Sequence, residues 1–302
     1  MSVRPFCIAA WLAPVVLVAG CATEPARKPA PQLAPGQQRS LAAAEKLYRA
    51  GDPAFATQRD QLAADPVTAY WLARLFIYDL TYARDQQQLR SSDARFLAAV
   101  AAAQDPVLAR AKEQLISMGA AAVPALVEDL LMAPHSDRRH LGVLMLGEMG
   151  PVVLPGVTSL LDSTDWRRRL SVIQVAAAMG SDEAAIAVLE RGAADRSFAV
   201  RAEAVGALLA RGGAHLERAR RLLAQDPDPY VRRYLAAQLG DHPDPETADV
   251  LVSYLSDCLD RVDPRGAEAA EASLIKISGK PGSGDLGYWR AWLATYSREG
   301  RR

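Results

Sequence analysis

The chain runs to 302 residues, with 35 Lys and Arg against 35 Asp and Glu, a balance that leaves no net charge. That weighs against a nucleic-acid binder, which neutralises many phosphates with clustered cations. Half the residues are hydrophobic, enough for one large domain or an extended repeat array, and three cysteines are too few for a disulfide framework.

Residues 1–20 open with Arg4 and continue as an apolar run of about fifteen residues, shorter than the ~20 a membrane-spanning helix needs. A positive start, an apolar core and small residues at its end read as a secretory signal. Val18-Ala19-Gly20-Cys21 resembles the bacterial lipobox. That resemblance implies cleavage between Gly20 and Cys21 and a lipid carried on the Cys21 thiol. Ala22 stands where aspartate would suggest inner-membrane retention, so the same resemblance favours the outer membrane of the bacterial cell envelope, facing the periplasm. Cys7 falls in the discarded core. Cys258 lies on a helical apolar stripe and reads as a buried small hydrophobe rather than a nucleophile.

Residues 21–40 follow the lipidation site with Pro25, Pro29, Pro31 and Pro35 and almost no large apolar side chain. Such a segment buries too little surface to fold, and its prolines favour an extended tether of up to roughly 55 Å. Residues 41–104 carry an N-terminal helical cap and a helix pair, the second helix expected over "SSDARFLAAVAAAQ".

Beyond Ser40 the chain is rich in Ala and Leu with short Asp, Pro and Gly breaks and no sustained alternation, an all-α pattern. An apolar position recurs at Leu115, Leu146, Ala176, Leu208 and Leu239, spaced by 31, 30, 32 and 31 residues. Four residues earlier stand Ala111, Gly142, Val172, Ala204 and Leu235, on the same helical face. Four residues later Gly119, Gly150, Gly180 and Gly212 stop the helix, glycine being suited to positive φ, and Pro243 replaces it in the fifth unit. A second helix follows each stop, with Pro124 and Pro155 in its first turn, where a missing N–H costs nothing.

The pattern is clearest at Val200, Arg201, Ala204, Leu208 and Gly212, and again at Val231, Arg232, Leu235 and Leu239; it resembles the HEAT-like repeat of bacterial proteins. The resemblance implies a right-handed α-solenoid of stacked antiparallel helix pairs. Five repeats are expected over residues 105–257, then a degenerate sixth and a tryptophan-bearing cap over 258–302, with Trp289 and Trp292 covering the last apolar face. It further implies that matching Asp and Arg side chains tie adjacent units together. Those residues are Asp105, Asp137, Asp165, Asp195 and Asp228 in the breaks, and Arg139, Arg169, Arg201 and Arg232 on the first helices.

No catalytic constellation is legible. His135, His140, His215 and His242 lack metal-ligand spacing, no G-x-S-x-G elbow is present, and no Gly-rich phosphate loop follows a strand. "DWRRRL", residues 165–170, and "LERARRLLAQD" read as solvated helix faces rather than ligand sites. The expected function is therefore non-catalytic: a lipid-anchored interaction scaffold that binds an envelope protein or peptide, with no cofactor, metal or nucleic acid. In HEAT-like arrays second helices line the concave side, which makes Glu128, Ser159, Glu190, Arg221 and Tyr254 the candidate contacts. Alternatives are an enzyme or accessory of the HEAT-like lyase type and a structural envelope-assembly factor.

Overall fold

The computed structural model describes residues 29–90 and 106–299. The signal segment, Gly20, Cys21, Asp105 and the helix expected over 91–104 lie outside the described residues. Every regular element among the described residues is helical. The fold is an all-α solenoid of stacked helix pairs, and it divides into two compact units at Asp129 and Leu130.

In the first unit, α1 spans Pro35–Ala50, α2 Ala54–Ala63, α3 Pro66–Arg90 and α4 Pro106–Met118. Helix α1 begins six residues before the expected end of the tether. Ala34 is extended and Pro35 occupies the first turn, so residues 35–40 are helix, and the Trp71 indole donates to the Pro31 carbonyl at 2.8 Å. Leu41, Ala44 and Tyr48 form the buried stripe of α1. Tyr48, Phe55 and Phe76 pack ring against ring with centroids 5.0–6.0 Å apart, a size and edge-on geometry that stabilise a small core. Helix α4 packs against α3 through Ala111 and Leu115, both fully buried as their repeat positions require. The segment after α4 turns through Gly119 into the short helix α5, Val123–Leu126, with Pro124 in its first turn.

The second unit contains α6 (Ser136–Met149), α7 (Leu154–Val157), α8 (Trp166–Ala177), α9 (Glu183–Gly192), α10 (Phe198–Leu209) and α11 (Leu216–Gln225). It continues with α12 (Pro229–Leu239), α13 (Pro245–Asp260), α14 (Pro264–Ser278) and α15 (Leu286–Glu299). The first helices α6, α8, α10, α12 and α14 pack in succession, and the second helices α11, α13 and α15 do the same behind them. Leu146, Ala176, Leu208, Leu239 and Leu274 are fully buried at one repeat position. Burying each such leucine contributes about 1.5–3 kcal/mol, which is why the phase is kept while other positions drift.

Gly150, Gly180 and Gly212 stop the first helices at positive φ, as does Gly279 after α14. Trp289 is fully buried, and its indole donates to Glu271 at 3.2 Å. The same Glu271 oxygen accepts the backbone N–H groups of Ser283 and Gly284 at 2.8 and 2.7 Å. One carboxylate thus sets both the glycine-rich turn and the tryptophan that closes the stack, and the N–H of Gly284 leads the interactions that lower its pKa. Helix α15 packs against α13.

Candidate functional site

The arginine row is built in the same way from one helix to the next. Each arginine sits four residues after the N-cap and turns back over the break that precedes its helix. Arg139 donates to the carbonyls of Ala133 and Pro134 at 2.8 and 2.7 Å, Arg169 to Ser163 at 2.7 Å, and Arg201 to Asp195 at 2.8 Å. The rest of the fork reaches forward. Arg169 grips both oxygens of Asp195 at 2.7 and 2.9 Å, and Arg201 both oxygens of Asp226 at 2.8 Å. Arg169 and Asp226 are buried, so this is a row of desolvated, bidentate pairs with the geometry that arginine and not lysine supplies.

The acceptor set differs from the one the sequence suggested. Asp195 and Asp226 stand two residues before their N-caps, and each also accepts the N–H of the residue two further on. Asp165 and Asp228 instead are the N-caps themselves, accepting from the N–H groups of Arg167 and Tyr230 at 2.9 and 2.8 Å. Asp137 lies in the first turn of α6. The two kinds of aspartate are two residues apart, a distinction that repeat spacing blurs. Ser163 holds the acceptor position after α6, so Arg139 meets no carboxylate there. The row ends on Arg232, which donates to Leu223 and Asp257, both at 2.9 Å, and lies over the Tyr254 ring at 4.7 Å.

The pairing leaves an electrostatic mark. Burial works against ionised Asp195, but the Arg169 hydrogen bond and the N–H of Ser197 outweigh it and hold the carboxyl below its ordinary pKa. Arg169 and Arg201 are pushed up chiefly by the same bonds. Such groups serve as fasteners, with no lone pair or proton offered to a substrate.

On the second-helix side, Ser159, Glu190 and Arg221 are exposed at 31-residue spacing. Glu128 accepts from the Tyr70 hydroxyl at 2.8 Å within the first unit. Tyr254 is 3% exposed and cannot be a surface contact: it lies on the apolar stripe of Leu251, Leu255 and Cys258, while its neighbour Ser253 faces out. The basic stretch around Arg220 is likewise no plain solvated face. Arg220 is buried and donates to Asp244, Glu246 and Thr247, pinning the N-terminus of α13. In "DWRRRL", Arg169 is buried in the row, whereas Trp166 is exposed with the Arg167 guanidinium 5.0 Å from its ring centroid. Cys258 is buried, as expected, and burial raises its thiol pKa, so it stays protonated.

Arg211 was not singled out by repeat spacing. It donates to the carbonyls of Ala176 and Ala177 at 2.9 and 3.0 Å and to Gly180, satisfying the free C-terminal carbonyls of α8 from the next repeat. Its one signal is a cation immediately before a stop glycine. Among the described residues no group of three or more His, Cys, Asp or Glu side chains is placed to hold a metal ion.

Residues 123–210 match the family model for HEAT repeats, a stretch reaching from α5 to the end of α10. No curated protein matches the chain.

Proposed function

We propose that the chain is a non-catalytic adaptor of the bacterial cell envelope, held to the outer membrane by lipid on Cys21 and binding a protein or peptide on its second-helix face. One observation carries the reading. Ser159, Glu190 and Arg221 stand exposed at equivalent places in successive repeats, while Arg169 and Arg201 are consumed in holding the stack. Stacked repeats present such positions as an extended surface, and the mixed chemistry of these three favours a protein partner over a polyanion. The HEAT-repeat likeness of residues 123–210 supports an interaction role in kind without naming a partner.

The test combines Ser159→Arg, Glu190→Arg and Arg221→Glu in the full chain, with a photo-crosslinker placed beside Glu190. Loss of a reproducible cross-linked envelope protein, with thermal melting unchanged, is the expected result. Undiminished cross-linking would remove the second-helix face from the proposal. The anchor is tested separately by replacing residues 1–20 with a signal cleaved independently of a lipobox and Cys21 with Ala, which should move the protein from the membrane to the soluble periplasmic fraction.

A further inference from the structure

Where α13 ends, the chain turns through Arg261, Val262 and Asp263 into α14. Together with the start of α12 this turn lines an open cavity of about 500 Å³, walled by Arg232, Arg233, Tyr254, Cys258, Arg261 and Arg265 among others. Its wall includes four arginines and two carboxylates, Asp257 and Asp263, a surplus of two positive charges.

The charges fall into two classes. Arg232 is engaged by Leu223 and Asp257, and Arg233 grips Asp263 at 3.1 and 2.7 Å. Arg261 and Arg265 are exposed, and among the described residues their guanidinium groups have no partner. Tyr254 adds a second observation. It is 3% exposed, and among the described residues its buried hydroxyl has no nitrogen or oxygen partner, only the weakly accepting Cys258 sulfur beside it. Val262 adds a third. It is the only non-glycine residue at positive φ among the described residues, at 57°, and it stands 85% exposed on the cavity rim. A β-branched side chain in that conformation is strained, and strain of this kind collects at ligand clamps.

We propose that this cavity binds a doubly charged oxyanion, a phosphate or phosphate monoester, through Arg261 and Arg265, with the Tyr254 hydroxyl donating to it. A phosphate monoester carries about −1.5 to −2 at neutral pH, which matches the surplus, and the planar arginine fork suits its oxygens. The hydroxyl is closed off, so the rim must shift to admit the anion. That rim is the strained turn at Val262, where relaxation of the backbone offsets the opening.

The experiment is calorimetric titration of residues 22–302, purified without the signal segment and Cys21, so that no anchor contributes. The probes are inorganic phosphate, phenyl phosphate, and vesicles of phosphatidylcholine with and without phosphatidic acid. Saturable binding of a phosphate probe is expected. It should weaken about tenfold or more in the double variant Arg261→Ala, Arg265→Ala, whose exposed side chains leave folding untouched. Tyr254→Phe should weaken it several-fold with melting nearly unchanged, because it deletes a hydroxyl whose one neighbour is the weakly accepting Cys258 sulfur. Response to phenyl phosphate but not to vesicles assigns a soluble ligand; response to phosphatidic acid alone assigns a lipid headgroup. Absence of binding to every probe, or binding that survives the double variant, would overturn the proposal. None of these readouts depends on the second-helix contacts, so the adaptor reading stands or falls separately.

Discussion

Two stretches of the second unit use the same arginine position to different ends. Between α8 and α12 the repeat keeps its length, and Arg169 and Arg201 close on aspartates in the breaks, leaving no free charge in the row. Between α12 and α14 the spacing from Leu239 to Leu274 grows to 35 residues, and α13 runs to 16 residues where α9 and α11 have 10. The acceptor for Arg232 then comes from the last turn of α13, as Asp257, and the extra turn opens a cavity with two unpaired arginines. Where the period holds, charge is consumed in cohesion; where it slips, charge is left over for a ligand.

The comparison breaks most visibly at Arg201. Arg201→Ala leaves Asp226 buried at 5% exposure without its partner, and denaturant unfolding should register a loss of about 3–5 kcal/mol. The next effect sits in the cavity wall. A Cβ at Gly266 would lie 2.5 Å from Cys258 Sγ, 2.6 Å from an Asp263 oxygen and 2.8 Å from the Tyr254 hydroxyl. Gly266→Ala should therefore cost about 1–3 kcal/mol by overpacking, read from the same unfolding curve, and should change phosphate binding as well.

Acid separates the regular row from the rest through Asp195. Its folded pKa is depressed, so its contribution is fully present above the unfolded carboxylate value of about 4 and is lost as pH falls through the lower folded value. Asp195→Asn should flatten the stability profile below about pH 4 while lowering the neutral plateau, measured by urea midpoints across pH. The smallest change sharpens the comparison from the other side. Ser163→Asp supplies the carboxylate that Arg139 lacks, and a gain of about 0.5–1 kcal/mol is expected in the urea midpoint.

Much of this was legible in the residues. Leucine-like positions every 31 residues, four-residue offsets and stop glycines specify helix pairs because burial enforces phase. The partners within the row were harder to read. Asp226 and Asp228 are both aspartates in one break, and only the backbone decides which caps the helix and which takes the arginine. Tyr254 misled because its hydroxyl suggests a surface, whereas its place on the stripe with Leu251 and Leu255 puts it inside. Proline at residue 35 fits a tether and a helix's first turn equally well by composition, and the structure puts it in the first turn of α1. Glu271 had no periodic signal at all, since two of its donors come from the glycine-rich turn before α15 and the third from Trp289 on that last helix.

The serine at residue 163 has a consequence for how the second unit comes apart. In a linear array with nearest-neighbour coupling, cooperativity is only as continuous as its weakest junction. The junction from α6 to α8 has its arginine held by carbonyls alone, while those after it are clasped by carboxylates. Amide hydrogens of α6 should thus exchange through local openings that leave α8 to α12 shut, and fraying proceeds from that side by one helix pair at a time.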